Sequence, residues 1–119
     1  MRILVADDAP VARAILTRMA ADAGFEGVAE AEDAASALEH FAASRPDLTI
    51  VDGRLPPDGG PALIARLRDL DAAATIVVVA ALGELELLRA ATAAGAASGL
   101  LRPFVPSQVA ALARFARTE

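Results

Sequence analysis

Residues 2–8 read RILVADD, an apolar run that ends on two acids, and residues 48–52, LTIVD, repeat that pattern. A short apolar run with polar ends is typical of a strand buried on both faces of a parallel sheet. The carboxyl ends of such strands are where open α/β sheets bind their ligands. The sequence therefore predicts that Asp7, Asp8 and Asp52 lie together at one edge of a sheet.

Three carboxylates at one sheet edge need a partner of opposite charge. Like charges in a shared site repel one another and oppose ionisation unless a cation joins them. Mg²⁺ prefers oxygen ligands, binds through few protein carboxylates and retains several waters. We therefore expect Mg²⁺ as the cofactor of this edge, in a reaction between a carboxylate and a phosphate.

The composition indicates one globular domain. The chain has 119 residues, of which 55% are hydrophobic, and a net charge of -5, and this size has room for a single core. It has no cysteine, which excludes disulfides and zinc-thiolate sites. The acidic balance disfavours direct binding to nucleic acid or to an anionic membrane. Residues 72–82, the longest largely apolar stretch, are too few to span a bilayer, so we expect a cytoplasmic domain.

Strand-like and helix-like segments alternate five times along the chain. The expected strands cover residues 2–6, 28–31, 48–51, 75–80 and 99–101. The expected helices begin near residues 10, 34, 61, 84 and 107. This alternation predicts an α/β fold with right-handed crossovers: a single doubly wound, five-stranded parallel sheet with helices on both faces. We expect one domain over residues 1–119.

Five features agree, in order and in spacing, with one protein family. An acidic pair follows the first strand, an aspartate follows the third, and a Leu-Pro pair lies shortly beyond it. A Gly-Ala pair precedes the fifth strand, and a basic residue with Pro-Phe follows it. In this chain they are Asp7-Asp8, Asp52, Leu55-Pro56, Gly95-Ala96 and Arg102-Pro103-Phe104. Over its whole length the sequence resembles the receiver domain of bacterial two-component response regulators, which implies a flavodoxin-like (βα)5 fold.

The resemblance assigns a role to each residue of the predicted site. It implies that Asp52 is the phosphoacceptor, whose carboxylate attacks the phosphorus of a phosphohistidine in a histidine kinase or phosphotransfer protein. It implies that Asp7, Asp8, Asp52 and the backbone carbonyl of Arg54 hold Mg²⁺, which neutralises the transferring phosphoryl group. Arg102 would pair with the acceptor and the phosphate. Such a domain would catalyse its own phosphorylation and dephosphorylation in a phosphorelay.

Three residues depart from the family pattern. The spacing puts Ala80 where the family has a Thr or Ser that binds the phosphoryl group, and Gly99 where it has an aromatic switch residue. The usual Lys after the fifth strand is Arg102, which keeps the charge but has a larger, planar head; by resemblance, its peptide bond to Pro103 is cis. We expect phosphorylation with altered switching, and a small response around Arg54 and Arg102.

Two other functions stay open. In the first, the chain is a pseudo-receiver in which Arg102 pairs with Asp52 permanently, acting as a phosphorylation-independent interaction module, for example within a hybrid histidine kinase. The second is a Mg²⁺-dependent phosphatase with an aspartate nucleophile. Such enzymes carry a second Asp two residues after the nucleophile, and Arg54 in that position disfavours this function.

Two helices carry more apolar residues than one buried face requires. The residues concerned are Ala9, Val11 and Ala14 at the first helix and Leu85, Leu87 and Leu88 at the fourth. Beside the acids, the first set suits docking of a partner helix. The second set suits contact with a second copy of the chain or with an output domain, or burial under the last helix.

Overall fold

The computed structural model describes residues 1–116, which form one sheet flanked by helices. The strands are β1 (Arg2–Ala6), β2 (Gly27–Ala31), β3 (Leu48–Asp52), β4 (Ile76–Ala81) and β5 (Ser98–Arg102). The helices are α1 (Pro10–Asp22), α2 (Ala34–Ser44), α3 (Gly60–Leu70), α4 (Leu85–Ala94) and α5 (Pro106–Ala111), followed by a 3-10 helix at Leu112–Phe115. In this part of the chain no helix is long and apolar enough to cross a membrane.

The expected alternation of strands and helices is confirmed. Each expected strand and helix is present, and the bounds predicted above differ from the observed ones by at most one residue. Residues 117–119 of the expected domain lie outside the described residues. The local signals that set these bounds are strong: Pro10 opens α1 at a position where proline is favoured, and the Asp33 side chain caps α2 by accepting a hydrogen bond from the Ser36 N–H at 2.8 Å.

The order of the strands creates one switch point in the sheet. All neighbouring strands pair in parallel, in the order β2-β1-β3-β4-β5. The chain leaves β1 toward β2 and then returns past β1 to β3, so the crossover direction reverses between β1 and β3. Ala6 pairs with Val51 across this boundary. The residues that follow them, Asp7 and Asp52, therefore leave the sheet side by side, at the crevice where such folds bind ligands.

The strand ends at the switch point are fixed by a core on each face of the sheet. Side chains of β1 alternate between the two faces: Ile3 and Val5 join the cluster under α1 and α5, whereas Leu4 and Ala6 join the cluster under α2, α3 and α4. Strand β3 is buried along its whole length, as expected for a central parallel strand covered on both faces. The acids at the ends of β1 and β3 therefore project from a rigid base.

Candidate functional site

The structure brings together the three acids that the sequence singles out. Asp7 is 1% exposed and Asp52 is 8% exposed, whereas Asp8 is exposed to solvent. One carboxylate oxygen of each lies within 4.8 Å of the other two. The site is therefore a cluster of three hard oxygen ligands, buried on one side and open on the other.

The Asp7 carboxylate is buried with one oxygen unsatisfied. Its Oδ1 accepts a hydrogen bond from the Ala9 N–H at 2.9 Å. Its Oδ2 makes no hydrogen bond within the described chain, although Arg102 Nη2 lies 3.5 Å away. Burial is the largest effect on the pKa of Asp7 and raises it. The hydrogen bond from the Ala9 N–H and the charge of Arg102 lower this pKa, whereas the charges of Asp52 and Asp8 raise it. A buried acid with an oxygen that accepts no hydrogen bond fits a site completed by a divalent cation.

Arg102 connects two of the acids. Its Nη2 donates a hydrogen bond to Asp52 Oδ1 at 3.2 Å and lies 3.5 Å from Asp7 Oδ2. The peptide bond between Arg102 and Pro103 is cis, which confirms the expectation for this position. The Arg102 side chain is 38% exposed, so it is both paired with Asp52 and accessible from the solvent side. Arg102 thus provides a positive charge beside the candidate acceptor.

The loop after β3 is folded tightly against Asp52. The Gly60 N–H donates to the carbonyl of Gly53 at 2.9 Å, and the Leu55 N–H donates to the carbonyl of Asp52 at 3.1 Å. A Cβ on Gly60 would lie 2.6 Å from the Asp52 carbonyl oxygen, so only glycine fits there. The backbone N–H of Arg54 lies at the long distance of 3.5 Å from Asp52 Oδ1. Glycine at positions 59 and 60 is typical of a turn, but the sequence gives no sign of this close approach.

The two switch positions lie on β4 and β5, away from the acids of β1. Ala80 is fully buried within β4 and offers no hydroxyl group. Gly99 lies in β5, and a Cβ there would be 3.1 Å from Leu88 Cδ2. Leu88 of α4 therefore already packs over the position at which the family has an aromatic ring.

The extra leucines of α4 have different environments. A Cβ on Gly53 would lie 2.6 Å from Leu87 Cδ2, so Leu87 covers the loop that follows Asp52. Leu85 is 60% exposed, and α4 packs chiefly against α3. Two of the three leucines are thus explained by packing on the sheet and the acceptor loop rather than by burial under α5.

Two residues of this region were missed by the sequence analysis. Glu84 Oε1 accepts a hydrogen bond from the Ala81 N–H at 2.6 Å, and Oε2 accepts one from Arg54 Nε at 2.6 Å. Arg13 Nη1 donates to the backbone carbonyl of Asp7 at 2.8 Å. In the sequence Glu84 marks only the expected start of a helix, and Arg13 is one charged residue of an amphipathic helix, so neither carried a signal of its contact.

The chain is similar to known proteins over almost its whole length. The response regulator receiver domain family matches residues 3–114. The chemotaxis protein CheY of Bacillus subtilis is 34% identical over 91% of this chain and 90% of its own. The transcriptional regulatory protein PdtaR of Mycobacterium tuberculosis is 33% identical over 96% of this chain but only 58% of its own. The receiver domain of NtrX from Brucella abortus has a TM-score of 0.88 at 27% identity, covering 94% of both chains. The chain therefore belongs to the family of response regulator receiver domains.

Proposed function

We propose that this receiver domain accepts a phosphoryl group from a phosphohistidine onto Asp52, in a reaction that depends on Mg²⁺. The observation that carries the proposal is the convergence of Asp7, Asp8 and Asp52 at the switch point of the sheet. Helix capping or turn formation would account for one such acid but not for all three. The buried Oδ2 of Asp7, which accepts no hydrogen bond within the described chain, supports a cation as a further partner beside Arg102.

The metal ligands in this proposal are the carboxylates of Asp7, Asp8 and Asp52 and the backbone carbonyl of Arg54. When bound, Mg²⁺ supplies charge neutralisation and alignment for the transferring phosphoryl group. Asp8 is the exposed member of the cluster, so its carboxylate reaches the side from which solvent and ligands enter. Asp7 is held in place by its hydrogen bond with the Ala9 N–H.

The Asp52 carboxylate is the nucleophile. Within the described residues, the hydrogen bonds from Arg102 and from the Arg54 N–H converge on Oδ1, which leaves Oδ2 for attack on phosphorus. The new P–O bond forms as the P–N bond to the donor histidine breaks. Phosphorylation of a hydroxyl side chain adds roughly -1.5 to -2 charge at neutral pH, and a similar charge on Asp52 would be met by the Arg102 guanidinium.

An apolar groove beside the site suits a phosphodonor protein. The groove has a volume of ≈ 470 Å³ between α1 and the turn after β5, and it is lined by Asp7, Ala12, Ile15, Leu16, Met19, Arg102, Pro103 and Phe104. Val11 of α1 is 74% exposed and Ile15 is 49% exposed. A helix that presents phosphohistidine, from a histidine kinase or a phosphotransfer protein, would cover these apolar residues while it approaches Asp52.

The other proposed partners follow from the surface of the domain. Leu82, in the turn before α4, is 78% exposed, and Leu85, the first residue of α4, is 60% exposed. Both suit contact with a second copy of the chain or with an output domain. The net charge of -5 supports a domain that binds neither nucleic acid nor an anionic membrane directly. We place the domain in the cytoplasm, together with its phosphodonor.

A second candidate function is the phosphorylation-independent pseudo-receiver. The observation in its favour is the hydrogen bond between Arg102 and Asp52 at 3.2 Å, which already satisfies the acceptor without phosphate. In that case Arg102 would hold one conformation of the domain permanently, and the acids would not be used for chemistry.

Intact-mass measurement after treatment with acetyl phosphate and Mg²⁺ separates the two candidates. The proposal predicts one phosphoryl adduct, which is absent in Asp52→Ala and absent when EDTA removes the metal. Asp58→Ala removes an exposed acid from the same loop and is expected to leave the adduct unchanged. An equal adduct on Asp52→Ala would move the acceptor elsewhere. No adduct on the natural sequence would favour the pseudo-receiver.

A further inference from the structure

The carboxylate of Glu84 is bound at the same sheet edge as Asp52, between the loops that follow β3 and β4. Its Oε1 accepts from the Ala81 N–H at 2.6 Å. Its Oε2 accepts from Arg54 Nε at 2.6 Å and lies 2.5 Å from Arg54 Nη2. Only 17% of the Glu84 side chain is exposed. Both oxygens of this carboxylate are therefore engaged in charge-assisted hydrogen bonds, one of them with an Arg54 side chain that is 75% exposed.

These contacts connect Glu84 with residues that lie next to the candidate acceptor. Arg54 follows Asp52 by two residues, and its N–H lies 3.5 Å from Asp52 Oδ1. Ala81 pairs with Arg102 in the β4–β5 register, and Arg102 donates to Asp52. The Ala81 hydrogen bond lowers the pKa of Glu84 against an opposing effect of burial, and Arg54 and then Arg102 lower it further. The charge of Glu84 is thus felt by the same cation that pairs with Asp52.

We infer that Glu84 competes with the phosphoryl group for two hydrogen-bond donors. Glu84 holds the Ala81 N–H and the Arg54 guanidinium until a phosphoryl group on Asp52 attracts them. The inference rests on the proposed function of Asp52. A phosphoryl group offers three acceptor oxygens and more negative charge than a carboxylate, so it repels Glu84 and attracts both donors. Glu84 is in this sense a positioning residue, because it acts through Ala81 and Arg54.

The release of Glu84 would also affect α4 without the hydroxyl that is missing at Ala80 or the aromatic ring that is missing at Gly99. Glu84 directly precedes α4, and its backbone carbonyl accepts the Leu88 N–H at 3.1 Å. A movement of Glu84 would therefore alter the first turn of the helix. Leu87 and Leu88, at the end of that turn, pack over Gly53 and Gly99, so a movement that stops at these two residues leaves the rest of α4 in place.

The test compares the rates at which variants of the whole chain are phosphorylated by acetyl phosphate. Each rate is measured from the intact mass of the protein over time. Glu84→Gln keeps the shape of the side chain and removes its charge, and Glu84→Ala removes the carboxylate altogether. Glu86→Gln is the matched control, since Glu86 is an exposed glutamate in the first turn of α4 that pairs with Arg89. At low acetyl phosphate concentration we expect Glu84→Gln to react about two- to fivefold faster than the natural sequence, the range for one partly exposed ion pair. Glu84→Ala is expected to react at least as fast as Glu84→Gln, and Glu86→Gln at the rate of the natural sequence.

A competing role and a merely structural role of Glu84 give different results. Removal of a competitor lowers the acetyl phosphate concentration that gives half the maximal rate, whereas a merely structural role of Glu84 would lower the thermal unfolding midpoint and slow the reaction. Equal or slower rates in the two folded Glu84 variants, with an adduct on the natural sequence, would overturn the inference alone. No adduct on the natural sequence or on any variant would overturn the proposed function of Asp52, and the inference with it.

Discussion

The two sides of the acceptor edge differ in what they offer to a phosphoryl group. On the β1–β3 side, Asp7 and Asp8 converge with Asp52, as in the family pattern. On the β4–β5 side, Ala80 has no hydroxyl and Gly99 has no ring. Because the two sets of residues lie on different strands, the means to receive a phosphoryl group can be kept while the usual means to respond to it is lost.

The β4–β5 side is nevertheless closely connected to the acceptor. Leu88 packs over Gly99, and Leu87 packs over Gly53, the residue that follows Asp52. In the usual arrangement a ring would need room beside β5, but here α4 already occupies it. This packing indicates that α4 is held against the sheet. Substitutions on one side of the acceptor edge at a time therefore test the comparison.

The largest effect is expected for Asp8→Ala, measured as the affinity for Mg²⁺ by titration of the metal. Loss of a ligand is expected to weaken binding by at least on the order of tenfold, because even changes to the partners of metal ligands cost that much. Asp7→Ala is expected to weaken binding less, since by family resemblance Asp8 is the direct ligand.

Asp58→Ala serves as the control for this titration, because it removes the same charge from an exposed position outside the cluster. It is expected to bind Mg²⁺ as the natural sequence does. Unchanged affinity in Asp8→Ala would show that the cation is not held at the β1–β3 side, and the contrast between the two sides would lose its basis.

A smaller effect is expected for Leu88→Ala, measured as the free energy of unfolding in urea. Leucine truncation in a full core costs about 2–5 kcal/mol, and since Leu88 is only partly buried we expect a loss of about 1–2 kcal/mol. Leu85→Ala, one turn earlier and 60% exposed, is expected to change the free energy by less than about 0.5 kcal/mol. Equal losses in both variants would mean that α4 is not held through Gly99.

The smallest effect is expected for Asp7→Asn in metal-free buffer. The folded-state pKa of Asp7 lies above its ordinary value of 3.8, chiefly because of burial, so between those two values the folded state binds more protons than the unfolded state. The free energy of unfolding therefore falls as the pH rises through this window. Asn cannot ionise and can still accept the Ala9 N–H, so the variant is expected to be more stable than the natural sequence at pH 7.

Two further conditions check this assignment to Asp7. Well below pH 3.8 the difference between the two proteins should disappear, because the acid is then protonated in both states. With Mg²⁺ present the order of the two stabilities should reverse, because the Asp7 carboxylate then gains a cation of opposite charge and the neutral Asn amide does not. A variant that is less stable at pH 7 in EDTA would show that the buried carboxylate is already satisfied.

The features that the sequence predicts correctly are those that depend on neighbours along the chain. The apolar runs before Asp7 and Asp52 define two buried strands, and parallel pairing brings their ends together. The bridge made by Glu84 was not predictable, because its partner Arg54 is 30 residues away and the contact depends on how two loops meet. Likewise the helical period identifies Leu88 as apolar but does not reveal that a glycine in β5 gives it room.

The most direct test of the contrast is a map of backbone amide chemical shifts with and without beryllofluoride, a mimic of the acyl phosphate. We expect changes at the acids, around Arg54, from residue 81 to the first turn of α4, and around Arg102, with residues 89–99 almost unchanged. Large changes throughout residues 89–99 would contradict this expectation, because they would show that the β4–β5 side responds to phosphorylation through a switch other than the one that Ala80 and Gly99 have lost.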